Sequence, residues 1–322
     1  KEYWFNGSWQ ATSNRQEIIK VKDSADVVEN IAMTHWGPAM FDAHYQNGQS
    51  MGRNLAVKWT GHNASTGVET FYKLNRAKNY DDYINAISLW KCPGQNFVFA
   101  SHSGDIAIKQ QGAFVAKWKQ QGDFVMPGTD STYLWQGIIP QNENPYMINP
   151  IRGFVSSANQ QSVDSTYPYY LGRPNNFPLY RGFIINRKLN AMSGITVKDM
   201  QKLQADNYNV FAEIARPVLL KYLATSNLNI DEKKYLEIFK QWNCNNDLKE
   251  IGATVFKVFW DSVEVNMWGD EYAQTKLTLP WPDESALIES LMKDSTYNFA
   301  DDVRTPNKKE TIADIILISF QK

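Results

Sequence analysis

Residues 153–181 read GFVSSANQQSVDSTYPYYLGRPNNFPLYR, and no other stretch says as much about the chain. Residues 154–158 are apolar or small and predict a strand that ends at Asn159. An uncharged amide held at a strand end can donate its NH2 group to negative charge that develops on an oxygen atom. A loop rich in Tyr, Pro and Asn then leads to Arg181, which opens a helical run at 182–189. From these residues alone, a loop amide and a surface arginine are the simpler interpretation.

Length and composition predict a soluble globular protein of two units. A chain of 322 residues is long for one hydrophobic core and short for three. Lys and Arg total 33 against 34 for Asp and Glu, with the signs interspersed, so no basic stripe predicts a nucleic-acid partner. No run reaches the roughly 18 apolar residues that a membrane span requires. The chain opens without the apolar segment of a signal peptide, and Lys1 is interpreted as an internal start.

The first part of the chain predicts mainly β structure. Alternating apolar residues and turn signals indicate strands, and apolar residues at helical spacing indicate two helices. The predicted strands cover 3–9 as a hairpin around Asn6-Gly7, then 17–21, 29–34, 55–60, 96–100 and 106–109, and the predicted helices cover 68–77 and 80–89. Residues 122–150 are rich in Gly, Pro and Asn and predict a long wrapped loop.

Composition changes near Met192, after which the pattern is helical. Thr196 and Asp199 form a capping-box signature. It opens a helical run that is predicted to be interrupted or kinked at Pro217. The predicted helical segments are 197–223, 231–242, 253–265, 285–292 and 310–318. We therefore predict an α+β protein with a β-rich unit at 1–191 and a mostly α-helical unit at 192–322.

The common catalytic motifs are missing from the sequence. It contains no Gly-x-Ser-x-Gly elbow, phosphate-binding loop, His-Glu-x-x-His or Cys-x-x-Cys motif. The four histidines share no i, i+4 spacing, so no metal site is predicted. Cys92 and Cys244 are too few and too far apart for a disulfide framework and are expected to pack as small apolar side chains. Residue chemistry alone leaves an α+β protein without a located nucleophile.

Several short motifs nevertheless follow one another in an order known from one enzyme family. They are YWFNGSW at 3–9, MTHWGPAM at 33–40, FYKLNRAKNYDDYINAI at 71–87, NFVFASHSGDIA at 96–107, MPGTDSTYLWQGIIP at 126–140, INPIRGFVSSANQQ at 148–161 and SGITVKDMQKLQAD at 193–206. In this order they resemble the large (β) chain of the penicillin acylase, or penicillin amidase, family of N-terminal-nucleophile hydrolases. The resemblance implies part of an αββα sandwich followed by a mostly helical unit.

The resemblance also implies a function, which is amide hydrolysis by an N-terminal serine exposed by self-processing. Its own α-amine serves as the base, so no Ser/His/Asp triad is needed. That serine lies upstream of Lys1 on this interpretation. Asn159 matches the family's oxyanion-hole asparagine, and Arg181 matches the arginine that orients the nucleophile region. Phe71 and Gln95 fall at positions that contribute to the acyl pocket. Phe71 is equally well explained as a core residue of an amphipathic helix, and the polar Gln95 argues against an aromatic acyl preference.

Partners and ions follow from the same resemblance. The expected substrate is a small N-acyl amide, and the expected partners are the family's small chain and the N-terminal part of the large chain, without which this fragment is expected to be inactive. No cofactor is required. A structural calcium ion is allowed by the resemblance, although Tyr170 stands where the family has a carboxylate and Asp164 is the only carboxylate between Asn159 and Arg181. A periplasmic or exported location is implied by the family alone.

A competing hypothesis is a non-catalytic binding or interaction module. The chain is 13% aromatic, with 11 Trp and 16 Tyr, and such side chains suit stacking on sugars or on a partner protein. Aromatic residues also fill ordinary cores, so their abundance does not decide between the two hypotheses. A Ser, Thr or Cys made N-terminal by processing would support the enzyme over the binding module.

Overall fold

The computed structural model describes residues 1–40, 55–172, 178–275 and 279–322. The chain divides into two compact units, 1–177 and 178–322. The α+β fold class is confirmed, because the first unit carries the strands and the second is helical. The unit boundary predicted from composition, between 191 and 192, stays a prediction; helix 180–191 packs on a helix of the second unit.

Within the described residues the first unit contains four small antiparallel sheets. Their orders are β1-β2, β3-β4-β5, β10-β7-β6 and β8-β9, with strands β1 Glu2–Phe5, β2 Ser8–Ala11, β3 Ser13–Ile19, β4 Val27–Thr34, β5 Gly37–Pro38, β6 Gln95–Ala100, β7 Ile106–Gln111, β8 Val115–Ala116, β9 Gly137–Ile138 and β10 Tyr146–Ile148. The predicted first hairpin is confirmed. Asn6 and Gly7 both have positive φ, 47° and 84°, as a two-residue hairpin turn requires.

The sheet β10-β7-β6 is covered by two helices, α1 Gly67–Leu74 and α2 Tyr80–Ile87, both predicted from their spacing. Tyr83 and Ile87 of α2 form a buried cluster with Ala107 of β7. The Tyr83 hydroxyl donates to the Phe97 carbonyl oxygen of β6 at 2.8 Å. Since apolar burial and a directed hydrogen bond act at the same contact, α2 fixes the position of β6.

Two predicted strands are wrong. Residues 55–60 contribute only an isolated bridge, Ala39 to Ala56, and then enter a 3-10 turn at Thr60–His62. Residues 154–158 are irregular in the described structure. There the Ala158 N–H donates to the Gln160 side chain at 2.6 Å, so a local side chain takes the donor that a neighbouring strand would need. The predicted loop 122–150 contains the short strands β9 and β10.

The second unit is built around one long helix. Its helices are α3 Tyr180–Ala191, α4 Val197–Gln204, α5 Val210–Tyr222, α6 Ile230–Gln241, α7 Ile251–Gln274, α8 Glu284–Lys293 and α9 Ile312–Gln321. Helix α7 packs against α6 and α9 and buries residues along its whole length, from Phe256 to Trp268. No helix in the described ranges is both long and apolar enough to cross a membrane.

Local capping signals set the helix starts in this unit. The predicted capping box is confirmed, since the Asp199 N–H donates to Thr196 Oγ1 at 3.3 Å and the Thr196 N–H donates to Asp199 Oδ2 at 3.0 Å. The predicted run 197–223 is not interrupted at Pro217, which lies inside α5. The interruption falls at 205–209, where Asn209 accepts from the Ala212 N–H at 2.8 Å and starts a new helix.

Two glycines of α7 give a matched test of packing. A Cβ atom at Gly252 would lie 2.4 Å from Trp242 Cβ, and Trp242 is 4% exposed. A Cβ at Gly269 meets its nearest neighbour, Val265, at 3.7 Å. We expect Gly252→Ala to lower the free energy of unfolding by about 1–3 kcal/mol because the core must shift. Gly269→Ala should raise it by about 0.5–1 kcal/mol through helix propensity.

The measurement is urea unfolding of both variants beside the wild type. Equal stability of the two alanine variants would contradict the close approach of α7 to Trp242.

Candidate functional site

Asn159 lies on a tight turn of the first unit. Its φ of 61° is left-handed, a conformation that Asn adopts more readily than other non-glycine residues. The turn is closed by Gln160, whose side chain accepts from the Ala158 N–H at 2.6 Å and donates to the Ser156 carbonyl oxygen at 3.4 Å. Ala158 is 5% exposed, whereas Asn159 is exposed. The structure therefore presents an amide side chain on a backbone that is held in place.

The turn is tied to the start of β6. Asn96 Nδ2 donates to Ser157 Oγ at 2.7 Å, and Ser157 precedes Asn159 by two residues. Gln95, the first residue of β6, is exposed and pairs across the strands with Gln111. The contact between Asn96, which follows Gln95, and Ser157, which precedes Asn159 by two residues, therefore connects the start of β6 to the turn.

Phe71 belongs to an aromatic cluster beside the same strand. Its ring stands edge-on to Trp90, with centroids 5.4 Å apart, and Trp90 stands edge-on to Phe97 of β6 at 5.8 Å. Phe71 is half exposed and is not buried in a core of the described residues, and its place in an acyl pocket stays a prediction. Three of the four predicted site residues, Phe71, Gln95 and Asn159, are linked through β6.

Arg181 belongs to the second unit, as the second residue of α3. Its side chain is exposed and lines a pocket of about 800 Å³ formed by α3, α5, α7 and α8. The pocket also contains Glu264 and Glu284. The role of Arg181 beside Asn159 stays a prediction.

Two carboxyl groups of this pocket, those of Glu264 and Glu284, have raised pKa values. Burial, followed by the neighbouring Glu264 and Asp283, raises the pKa of Glu284 to about 7. Burial also raises the pKa of Glu264. Carboxyls with raised pKa values in a cleft are common at functional sites.

Three tyrosines anchor the loop that follows Asn159. The Tyr167 hydroxyl donates to the Glu143 carbonyl oxygen at 2.9 Å, and the Tyr169 hydroxyl donates to the Glu143 carboxylate at 2.5 Å. The Tyr170 hydroxyl donates to Asp123 Oδ2 at 2.6 Å. Directed hydrogen bonds from three hydroxyl groups therefore hold the described part of this loop.

The structural calcium ion that the resemblance allows stays a prediction. Asp164 accepts from the N–H and the hydroxyl of Thr166, at 2.9 and 2.6 Å, and these bonds lower the pKa of its carboxyl. Tyr170 engages Asp123, as described above. Across the described ranges no group of three or more His, Cys, Asp or Glu side chains could hold a metal ion.

Sequence reasoning missed the residues that support Asn159. Gln160 closes its turn, Asn96 tethers it, and Trp90 connects Phe71 to β6. The amide pair Asn159-Gln160 is visible in the sequence. Only the backbone conformation shows that the Gln160 side chain accepts a hydrogen bond within the turn and that the Asn159 side chain is exposed. The partners Asn96 and Ser157 are 61 positions apart, and no local pattern joins them.

A second pocket, of about 790 Å³, lies in the first unit. Aromatic residues form part of its wall, and Lys58 Nζ lies 5.5 Å from the ring centroid of Trp36 and 5.2 Å from that of Trp135. An aromatic pocket is the feature that the binding-module hypothesis predicts.

Comparison with known proteins finds relatives of this chain by sequence. A family profile described as Penicillin amidase matches residues 1–322. The acyl-homoserine lactone acylase QuiP of Pseudomonas fluorescens (strain Pf0-1) is 27% identical over 165 residues, which are 51% of this chain and 20% of the relative. The penicillin acylase 2 proenzyme of Pseudomonas sp. (strain SE83) is 22% identical over 255 residues, 79% of this chain and 32% of the relative.

A solved structure shows the same fold. The thermostable penicillin G acylase of Alcaligenes faecalis matches with a TM-score of 0.68 at 18% identity, over 99% of this chain and 61% of that chain. The matched part of the chain covers about a fifth of the length of that acyl-homoserine lactone acylase.

The raised pKa of Glu284 predicts a pH dependence of stability. Because the folded-state pKa of about 7 exceeds the ordinary value of 4.5, the protonated carboxyl favours folding below about pH 4.5. That contribution is lost as pH rises through 7. We expect the wild type to lose more unfolding free energy than Glu284→Gln between pH 5 and 8.

Thermal unfolding at several pH values measures the difference. Glu289→Gln is the matched control, because Glu289 is exposed on the same helix and pairs with Lys293. Parallel pH curves for Glu284→Gln and the wild type would contradict the burial of Glu284.

Proposed function

The chain belongs to the penicillin amidase family, and from this premise we propose that the whole protein hydrolyses the linear amide bond of small N-acyl amides. An N-terminal serine upstream of Lys1 would attack the acyl carbonyl, with its own α-amine taking the proton. The tetrahedral intermediate would release the amine and leave an acyl-enzyme, which water then hydrolyses. The full-length protein would be processed from an exported precursor and would include a small chain.

The arrangement of Asn159 is the single observation that carries this proposal. Catalysis by an oxyanion donor requires a group that is already in place when the charge develops. The closed turn at Gln160 and the Asn96–Ser157 tether restrict the backbone that presents the Asn159 amide. Its NH2 group would donate to the oxyanion of the intermediate.

The other predicted residues have supporting roles in the proposal. Arg181 would orient the nucleophile region. The half-exposed Phe71 ring, backed by Trp90, would contact the apolar part of the acyl group. Gln95 at the start of β6 would place a polar group at this pocket, which favours an acyl group other than a purely aromatic one.

The binding-module hypothesis is retained as the second candidate because of the aromatic pocket around Lys58. The two hypotheses differ in the processing of the full-length protein. Amide hydrolysis requires a mature chain that begins with Ser, Thr or Cys and releases phenylacetyl or fatty-acyl groups from amides. If the full-length protein showed neither such processing nor such release, the amide-hydrolase hypothesis would be rejected.

Replacement of Asn159 tests the oxyanion role. In the full-length protein, Asn159→Ala should lower kcat by about 10² to 10³-fold while the chain still folds, because one oxyanion donor is lost. Asn159→Gly distinguishes loss of the side-chain amide from backbone strain, since glycine adopts the φ of 61° without strain. Both variants should lose turnover equally, as measured by steady-state kinetics and circular dichroism. Full turnover in the glycine variant would reject the role.

Phe71 tests the acyl pocket. Phe71→Ala should lower kcat/KM for fatty-acyl amides by about tenfold, since part of an apolar wall is removed. Tyr72→Ala is the matched control, because Tyr72 is similarly exposed on α1 but stacks on Arg76 at 3.9 Å. Equal losses in the two variants would show that α1 acts through stability and not through substrate contact.

A further inference from the structure

The pocket around Lys58, of about 790 Å³, is lined by residues of the first unit alone. None of the aromatic side chains in its wall is buried, and Trp4 and Phe124 are 42% and 72% exposed. Ring surface in this wall is therefore available to a ligand. The aromatic residues of the wall are Tyr3, Trp4, Trp36, Phe124, Tyr133 and Trp135.

Hydrogen bonds hold two sides of this wall in place. Trp36 Nε1 donates to the Gly128 carbonyl oxygen at 2.8 Å. Gln121 is 3% exposed, and its Nε2 donates to the carbonyl oxygens of Tyr133 and Leu134 at 2.9 and 3.1 Å. Because these bonds exist without a ligand, the wall is already in place when a ligand arrives.

The lining of the pocket carries a net positive charge. Its charged residues are Lys1, Lys58 and Lys117 against Glu2. Within the described residues, neither Lys58 nor Lys117 has a carboxylate within ion-pair distance. Asp123 does not line the pocket, and its charge acts on Lys117 from beyond that distance. Both ammonium groups therefore have N–H donors that protein carboxylates do not occupy.

Aromatic rings lie beside both ammonium groups. Lys58 Nζ is 5.5 Å from the ring centroid of Trp36 and 5.2 Å from that of Trp135, within the range of cation–π attraction. Lys117 Nζ is 5.4 Å from the ring centroid of Tyr170, and burial lowers the pKa of Lys117. Since burial disfavours the charged form of a lysine, an added anion would stabilise that form.

We propose that this pocket binds a small organic carboxylate with a flat aromatic body. The carboxylate accepts hydrogen bonds from the Lys58 ammonium group, and Lys117 adds a second positive charge. The aromatic body packs on the ring wall, where offset and edge-to-face ring contacts are favourable. A cation would be repelled by the lining, and an inorganic anion would leave the rings without an apolar partner. The site does not depend on the proposed amide hydrolysis.

Calorimetric titration of the full-length protein with 2-naphthoate at pH 7 tests the proposal. We expect saturable binding, which Lys58→Gln weakens by about tenfold or more through loss of a charged hydrogen-bond donor. Lys117→Gln should weaken binding less, and Trp135→Leu should weaken it because part of the ring wall is removed. Lys119→Gln is the matched control, because Lys119 is exposed two residues after Lys117 and does not line the pocket.

The neutral alcohol 2-naphthylmethanol has the same ring system without the charge and should bind about tenfold more weakly or worse. Phe71→Ala and Asn159→Ala should leave 2-naphthoate binding unchanged, so a failure of the amide-hydrolysis proposal and a failure of this one are distinguishable. Lys58 is exposed, and circular dichroism checks the folding of its variant. No saturable binding of 2-naphthoate, equal binding by Lys58→Gln and the wild type, equal binding of 2-naphthylmethanol, or loss of binding in Phe71→Ala would each overturn the proposal.

Discussion

The contact between α2 and the sheet β10-β7-β6 is the constraint on which the candidate site depends. Tyr83 is 1% exposed and its hydroxyl donates to the Phe97 carbonyl oxygen, so a single side chain provides both apolar burial and a directed bond to β6. A shift of α2 would move β6, and with β6 the tether from Asn96 to Ser157. The positions of the exposed Gln95 and Asn159 therefore depend on the buried Tyr83.

Local signals explain what the sequence could predict. The Asn6-Gly7 hairpin and the Thr196–Asp199 capping box depend on residues within four positions of each other, and both form as expected. The failed strand at 154–158 is instructive, because its composition is right for a strand. The Gln160 side chain takes the Ala158 N–H, and no propensity scale accounts for that competition.

Nonlocal packing explains the rest. Phe71 reads as a core residue from its helical spacing, yet it is half exposed because Trp90 covers only one side of the ring. The pocket around Arg181 draws Glu264 and Glu284 from α7 and α8, more than 80 positions further along the chain. The family was identified from the order of several short motifs, because each motif marks a local turn or helix whose sequence is constrained. The side chains that meet in a pocket between helices lie far apart in the sequence and leave no local pattern.

The tyrosine anchors of the loop after Asn159 have a consequence for sequence variation. Tyr167, Tyr169 and Tyr170 fix the loop through hydroxyl groups at three points, on Glu143 and Asp123. Residues between Asn159 and the first anchor carry little of this attachment. Substitutions at the exposed Gln161 and Ser162 would leave the three anchors in place, whereas loss of one tyrosine hydroxyl would remove one of them. The loop thus separates positions whose change spares its attachment from positions whose change weakens it.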